Sequence, residues 1–257
     1  MKACIVYLVD RGDITNFRRS LDHLDKCESL KPYPIIAFHE HDLPESFREE
    51  MADKYGVQFS LIEFVMPDYP NDIASKIPKD FYTPVCPYPF SMGYRHMCRF
   101  FSGEIFHRWE LVGYKYVLRI DTDSYILDPN IKDPFQAMEE SGSVYGYNNI
   151  SGDDPTCYQG FYSTVRSAVE GMGFNWQFQS HEEGHVFYTN WEIMRMDMFK
   201  SELYSKVYEA IDRSGGIFIH RWGDHILRYV FCKQFGVKTL RFKFNYAHGE
   251  DTWIYTP

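Results

Sequence analysis

The chain has 257 residues, 44% hydrophobic and 25% charged, enough to bury a sizeable core in one large α/β domain or two small ones. A formal net charge of -9 speaks against nucleic-acid binding, which needs a basic footprint to displace counterions, yet it leaves room for an anionic nucleotide held at one local basic or metal site. No stretch has the length and apolarity of a membrane span.

Residues 3–9 are apolar and β-branched and predict a first strand, which stops at Asp10 and Arg11. Ile14, Phe17, Leu21 and Leu24 recur at helical spacing and predict an amphipathic helix over 13–30. A second strand is expected at 33–39, a second helix at 44–55 with Gly56 as its stop, and a third strand at 57–64. This alternation predicts a parallel sheet with helices on its faces. Residues 66–89 are rich in Pro, Asp and Tyr, show no clean period, and read as a long structured loop.

A helix is expected at 94–109. The buried strand 116–120 then runs straight into Asp121-Thr122-Asp123. Further on, the pattern gives a strand at 144–148, a loop at 152–155, a helix at 158–172 and a strand edge at 188–193. Helix 201–211 ends at Gly215-Gly216, and helix 221–235 is stopped by Gly236. A last strand at 237–244 precedes the tail. With no repeat, low-complexity segment or flexible linker, one domain over 1–257 is favoured. Its expected halves are a nucleotide-binding part, 1–123, and an acceptor and catalytic part, 124–257.

Cys4, Cys27, Cys86, Cys98, Cys157 and Cys232 are scattered without a CxxC pair, which argues against a structural zinc site. The apolar N-terminal run has no small-residue cleavage site and reads as a buried strand. We therefore expect mainly reduced thiols in a soluble, cytoplasmic protein, with disulfides only where the protein enters an oxidising compartment. The 20 Tyr and 21 Phe suit both an aromatic core and the ring faces on which sugars pack.

Asp121 and Asp123 are the sharpest local signal. Two acids one residue apart at a strand end approach one point if the backbone turns there, and in open α/β sheets ligands bind beyond the carboxyl ends of strands. A hard divalent cation favours such oxygens and shares its remaining positions with phosphate and water. The same tripeptide also occurs as plain turn residues or a helix cap. A further ligand is needed. His248, after the last strand and among acids, is a candidate, although a lone His is more often a surface or core residue.

Several segments in order carry a family resemblance. Tyr94-Arg95-His96-Met97-Cys98-Arg99-Phe100-Phe101-Ser102-Gly103 resembles the Y-x-x-M-C-R-F/W-x-S-G stretch of the fungal α-1,2-mannosyltransferases, glycosyltransferase family 15. Arg119-Ile120-Asp121-Thr122-Asp123 falls where that family has R-V-E-P and one further residue, and Tyr145-Gly146-Tyr147 is similar to its Y-G-F strand. Thr189-Asn190-Trp191-Glu192-Ile193 resembles S-N-F-E-I. Asp212-Arg213-Ser214-Gly215-Gly216-Ile217-Phe218, followed by Arg221-Trp222-Gly223-Asp224, resembles D-R-x-G-G-F-F…R-W-G-D.

The resemblance implies a GT-A (Rossmann-like) α/β fold with a mixed, mainly parallel central sheet flanked by helices. It also implies a GDP-mannose donor, manganese, a glycan acceptor and retention at the anomeric carbon. Asp121 takes the place of the family's metal-binding Glu, and His248 that of its C-terminal metal ligand. Glu192 matches the acid assigned as nucleophile or oxocarbenium stabiliser. Tyr94 matches a Tyr beside the donor, and Asp224 the acid of R-W-G-D, an acceptor or structural contact. Two departures stand out. Asp121-Thr122-Asp123 replaces an E-P motif, and no counterpart of the membrane anchor and stem of the fungal enzymes is expected within these residues. A Golgi lumen is expected only for a membrane-anchored form.

Read as residues alone, each position keeps a second interpretation. Glu192, beside Trp191 and Ile193, is either a partly desolvated functional acid or a strand-edge Glu facing water. Arg99 and Arg119 fork onto diphosphate or pair with nearby acids. Tyr94 binds phosphate or sugar, or packs within its helix. Trp222 stacks on acceptor or fills the core, and Asp224 contacts acceptor or caps a helix. Val9, Asp10 and Arg11, at the end of the first strand, are the natural place for the base. Asp10 either accepts from a guanine edge or serves as a turn residue. The alternatives to a GDP-mannose transferase are a transferase using another nucleotide sugar such as a UDP-sugar, and an inactive nucleotide-sugar-binding protein. A metal-dependent phosphohydrolase ranks last, because the additional His/Asp clusters it needs are missing.

Overall fold

A computed structural model describes residues 2–79 and 90–249, together with the backbone of Trp253–Tyr255. The first half runs β1 (Ala3–Val9), α1 (Ile14–Leu24), β2 (Ile35–His39), α2 (Glu45–Tyr55), β3 (Gln58–Leu61), α3 (Asn71–Ala74), α4 (Met92–Ser102) and β4 (Tyr116–Ile120). Then come β5 (Ser124–Ile126), α5 (Pro134–Ser141), β6 (Tyr145–Tyr147), β7 (Ile150–Gly152), α6 (Phe161–Gly171), β8 (His185–Phe187) and β9 (Trp191–Arg195). The chain closes with α7 (Met196–Phe199), α8 (Glu202–Arg213), α9 (Gly216–His220), α10 (Asp224–Gln234), β10 (Thr239–Arg241), β11 (Tyr246–His248) and β12 (Trp253–Tyr255).

A seven-stranded sheet has the order β10-β6-β9-β4-β1-β2-β3. The pairs β1–β2, β1–β4, β2–β3 and β6–β10 are parallel, while β9 runs antiparallel between β4 and β6. This is the mixed, mainly parallel sheet expected. Parallel strands are buried on both faces, so β1 reads as a continuous apolar run whose alternate side chains feed two cores. Cys4 and Val6 join Val117 in one core, with Phe100 and Phe101 of α4 and residues of α8 and α10. Ile5 and Tyr7 join Leu118 in the other, against Phe17 and Leu21 of α1, Phe47 of α2 and Phe135 of α5.

The strand order reverses at β1: β2 lies on one side and β4 on the other, and a crevice opens beyond their carboxyl ends. Because β9 is antiparallel, its amino end lies at that same edge, with Ile120 beside Trp191 and Arg119 beside Glu192. A small sheet of β12, β11 and β5 folds His248 back to Ser124, one residue from Asp123.

Several predicted boundaries move, for identifiable reasons. Helix 13–30 ends at Leu24, and tight turns, from Cys27 N to Leu24 O and from Leu30 N to Cys27 O, each 2.9 Å, carry the chain on. Helix 94–109 ends at Ser102, where Gly103 leaves helical geometry with a φ of -156°, packed so closely on Tyr208 that a Cβ would come within 2.2 Å of the ring. Helix 221–235 begins only at Asp224, since Arg221 takes a left-handed φ of 69°. The supposed strand edge at 188–193 becomes a central strand that starts at Trp191. Helix α5 escaped prediction although its signals were present: Pro134 at its first position, and Asp133 accepting from the amides of Phe135 and Gln136. The stretch 66–79 is irregular apart from α3, and residues 80–89 of the predicted loop lie outside the described part, as do Glu250 and Asp251 beside His248.

Among the described residues, no helix is long and apolar enough to cross a membrane. Cys4, Cys27, Cys98 and Cys232 are free and buried, in line with reduced thiols, but Cys157 is disulfide-bonded. That corrects the expectation at this position. Spacing alone carries no sign of it.

Candidate active site

A cavity of about 710 Å³ lies at the crevice, and a second of about 340 Å³ shares Leu8, Asp13, Tyr94 and Met97 with it. The two are parts of one cleft. Helix α4 presents Tyr94, Met97 and Phe101 to the larger part, three positions on one helical face. Tyr94 and Met97 stand where the two parts meet.

At one end, Asp121, Thr122 and Asp123 follow β4 into the wall, and β11 delivers His248. His248 Nδ1 lies 3.1 Å from Asp123 Oδ1 and 3.3 Å from Ser124 Oγ. Burial disfavours the imidazolium, but the hydrogen bond and charge of Asp123 outweigh it and raise the His248 pKa. Among the described residues, no three His, Cys, Asp or Glu side chains converge into a closed metal cage. Asp123 and His248 form a two-point opening beside Asp121. Such a set suits a hard cation that leaves its other positions to phosphate and water, and the mixture of carboxylate and imidazole fits manganese.

Asp121 is steered by Arg119, whose Nε and Nη2 donate to its two carboxylate oxygens at 2.8 and 3.3 Å. The same guanidinium donates from Nη1 to Asp224 Oδ2 at 2.6 Å, lies 3.5 Å from Glu192 Oε1, and stacks 3.5 Å from the Phe101 ring centroid. Arg119 is therefore held by three acids, the ion-pair alternative for this residue, and it also lines the cavity. Burial pushes Asp121 up, and Arg119 pulls it only part of the way back. Asp224 is also pushed up by burial, but Arg119 and then His225 hold it below the ordinary carboxylate range. Asp224 lines the cavity as the first residue of α10. The N-cap position of α10 belongs to Gly223, and Asp224 follows it as an acid in the first turn.

Glu192 is not on the cleft wall. It is fully buried on β9, one residue deeper than Trp191, and lies between Arg119 and Arg228, with Arg228 Nε 3.3 Å from Oε2. Neither a water-facing strand-edge Glu nor an open nucleophile describes it. Burial raises its pKa against the pull of Arg228 and Arg119.

Val9 and Asp10 line the smaller part of the cleft with Asp13, Glu40, Asp42 and Ser91. Asp10 Oδ1 also accepts from Gly12 N at 2.7 Å, so the turn role and the place in the pocket coexist. Glu40 is raised by burial and then by the charges of Asp42 and Asp10.

Two expected contacts, of Arg11 and Arg99, are corrected, and Trp222 takes its core alternative. Arg11 is exposed and lines neither part of the cleft. Arg99 lies on another face of α4 from Tyr94 and Met97, where Nε and Nη2 donate to Asp212 at 2.6 and 2.9 Å and Nη1 bonds Glu104. A two-residue step from Met97 rotates a helical side chain by about 200°, which carries it away from the cleft. Trp222 is a core residue: its Nε1 donates to Gln159 O at 3.0 Å and its ring meets Phe161 edge-on.

The structure adds residues that the sequence reading did not single out. Asp13 joins both parts of the cleft, and Asn190 enters the wall at the start of β9. Elsewhere in the lining, Asp153 accepts from Arg221 Nη2 at 2.6 Å and meets His225 Nε2 at 3.0 Å. Arg221 belonged to a recognised motif. Asp153 lies in an unremarkable loop, and only the fold brings it to the cleft.

The family described as glycolipid 2-alpha-mannosyltransferase matches residues 1–245. The glycolipid 2-alpha-mannosyltransferase of Saccharomyces cerevisiae is 27% identical over 241 residues, covering 87% of this chain and 54% of that protein. The O-glycoside alpha-1,2-mannosyltransferase omh1 of Schizosaccharomyces pombe is 27% identical over 248 residues, covering 87% and 62%. The chain thus spans little more than half the length of these relatives. In three dimensions it resembles core-mannan synthase A of Aspergillus fumigatus in its Mn/GDP form, with TM-score 0.84, 21% identity, and 96% of this chain and 74% of that one covered. It also resembles the mannosyltransferase Ktr4p of S. cerevisiae in complex with GDP, with TM-score 0.80, 23% identity, and 96% and 71% covered. At these identities the likeness establishes the fold, that of GT-A glycosyltransferases.

Proposed function

The chain belongs to the glycolipid 2-alpha-mannosyltransferase family, and from that premise we propose that it transfers mannose from GDP-mannose to a hydroxyl of a glycan acceptor. The transfer retains the anomeric configuration and forms an α-linkage, of the α-1,2 type. The observation that carries this reading is the joining of two features in one cleft. Asp121, Asp123 and His248 gather at one end, and an acidic pocket of Asp10, Glu40 and Asp42 opens beyond Tyr94. Guanine offers two adjacent N–H donors on its pairing edge, which a carboxylate accepts together, whereas uracil offers one donor between two carbonyls that a carboxylate repels. The pocket chemistry therefore favours GDP over UDP.

On this reading residues 1–123 supply the nucleotide half and 124–257 the acceptor half. Asp123 and His248, with Asp121 beside them, would hold manganese, which would offset negative charge on a departing diphosphate. Arg119 fixes the Asp121 carboxylate toward that site. Tyr94 stands between base and sugar with its hydroxyl protonated, since burial raises its pKa. Asp224, ionised and on the cavity wall, is the carboxylate placed to face the sugar as positive charge develops there. Glu192 acts from beneath: its charge holds Arg119 and Arg228 in place and does not itself reach the sugar. The disulfide at Cys157 favours an oxidising compartment, and hence a lumenal setting over the cytoplasm.

The test is transfer. The chain is incubated with manganese, a mannoside acceptor, and either GDP-mannose or UDP-hexoses, and the product is read by NMR. An α-mannosyl product from GDP-mannose supports the reading. Transfer from UDP-sugars alone, or nucleotide binding without any transfer, overturns it.

A further inference from the structure

The link between α4 and β4 carries an apolar knob outside the cleft. A single 3-10 turn, Trp109–Leu111, sits there, and Val112 N closes it by donating to Trp109 O at 3.1 Å. Side chains three residues apart in such a turn fall on the same side. Trp109 is 75% exposed and Val112 72%, the two highest values among the large apolar residues described. Neither lines the cleft.

The turn is firmly anchored. Leu111, between the two, is fully buried in the core that holds Phe106 and Phe199. Glu110 accepts from Ser60 Oγ on β3 and from Arg108 Nε, the latter at 3.1 Å. Lys200 Nζ reaches Leu111 O at 3.5 Å. Trp109 and Val112 are thus held out into water from a fixed base. An exposed Trp joins a large apolar body to a polar N–H, a character suited to the boundary between water and lipid.

The charges nearby separate into matched and spare. Arg108 pairs with Glu110, Lys115 with Glu139, and Arg195 with Asp197. Lys2 and Lys200 are exposed and make no ion pair among the described residues. Lys200 lies beside Leu111, and Lys2 O accepts at 2.8 Å from the amide of Lys115, close after Val112 in the chain. The spare charge beside the knob is therefore positive, in a chain whose formal net charge is -9. At physiological salt exposed charges act over about 8 Å, so acids elsewhere are screened and these lysines set the local potential.

This combination selects the partner. A stable protein interface buries about 800 Å² on each side, more than one Trp and one Val supply. A nucleic acid needs a broader basic footprint. An anionic bilayer needs only a shallow apolar insertion with cations beside it for the headgroups. Lys2 and Lys115 lie at the amino ends of β1 and β4, whereas the cleft opens beyond their carboxyl ends, so a bilayer held by this segment leaves the cleft open.

We propose that Trp109 and Val112, flanked by Lys2 and Lys200, dock the protein peripherally on an anionic phospholipid bilayer. Docking is independent of the transferase reading, since no residue of the cleft takes part.

The probe is a vesicle of phosphatidylcholine with about one-third phosphatidylinositol, sedimented with the full chain beside a pure phosphatidylcholine control. The wild type is expected to bind the anionic vesicle, and more weakly at high salt. Trp109→Ala should weaken binding about tenfold, the loss of one inserted aromatic side chain, and Val112→Ser should weaken it less. Lys2→Gln combined with Lys200→Gln should cost about tenfold and remove most of the preference for anionic lipid. Because Trp109 stands in water, thermal unfolding of Trp109→Ala should match the wild type. Docking is overturned if the wild type binds neither vesicle, or if Trp109→Ala binds as well as the wild type. It is also overturned if the lysine variant keeps the full anionic preference, or if Trp109→Ala loses binding only together with a lowered unfolding temperature. Trp109-dependent dimerisation in gel filtration without vesicle binding would overturn it as well, and would assign this face to a second copy of the chain.

Discussion

Arg119 and Asp224 meet at 2.6 Å with both side chains almost fully buried, one from the carboxyl end of β4 and the other from the first turn of α10. The pair ties the strand that carries Asp121 to the helix that forms the opposite wall. Through the same guanidinium it reaches Glu192 on the neighbouring strand. Removing one partner of such a buried set leaves uncompensated charge, which costs about 3–5 kcal/mol. Arg119→Met should therefore lower unfolding stability by that amount in urea titration. A loss under about 1 kcal/mol would show the network to be loose.

Glu192 offers a sharper distinction between a reactive acid and a supporting one. After incubation with GDP-mannose and manganese, peptide mass analysis should find no mannosyl group on Glu192. Glu192→Gln should reduce stability by about 1–3 kcal/mol, because Arg119 and Arg228 lose a shared counter-charge. A covalent sugar on Glu192 would restore it as nucleophile.

Asp153 makes a prediction in pH. Its pKa falls from 3.8 to about 2 on folding, so its ion pairs with Arg221 and His225 stabilise fully above the unfolded value. That stabilisation, about 2 kcal/mol, is lost as pH drops from about 4 through 2. Asp153→Asn should flatten this part of the acid-unfolding curve. An unchanged curve would place its partners elsewhere in solution.

Arg99 separates a structural arginine from a phosphate-binding one. Its guanidinium is taken up by Asp212 and Glu104, away from the cleft. Arg99→Ala should lower thermal stability, while the Kd for GDP with manganese stays within twofold. A tenfold loss of GDP affinity without a change in stability would return Arg99 to the donor site.

Much of this was legible in the residues. The apolar run of β1, the helical spacing of Phe17 and Leu21, and the strand that delivers Asp121 each follow from local pattern, and local pattern was enough. His248, singled out as a candidate partner of Asp121 and Asp123, lies 3.1 Å from Asp123. What failed depended on orientation. Arg99 and Met97 are two residues apart on one helix, yet only Met97 faces the cleft. Trp222, by contrast, fills the core, the alternative that its position left open. Glu192 is hidden because antiparallel pairing sets it beside Arg119, one step in from the strand edge. Asp153 was illegible for a different reason: its partners, Arg221 and His225, lie about seventy residues away, 68 and 72 positions along the chain.

The central claim is that one cleft holds a guanine nucleotide through a divalent cation. Calorimetric titration of GDP and UDP, each with manganese and with chelator, tests it most directly. The account predicts that GDP binds with manganese, at least about tenfold more tightly than with chelator and more tightly than UDP. GDP affinity indifferent to the cation, or a preference for UDP, would contradict it.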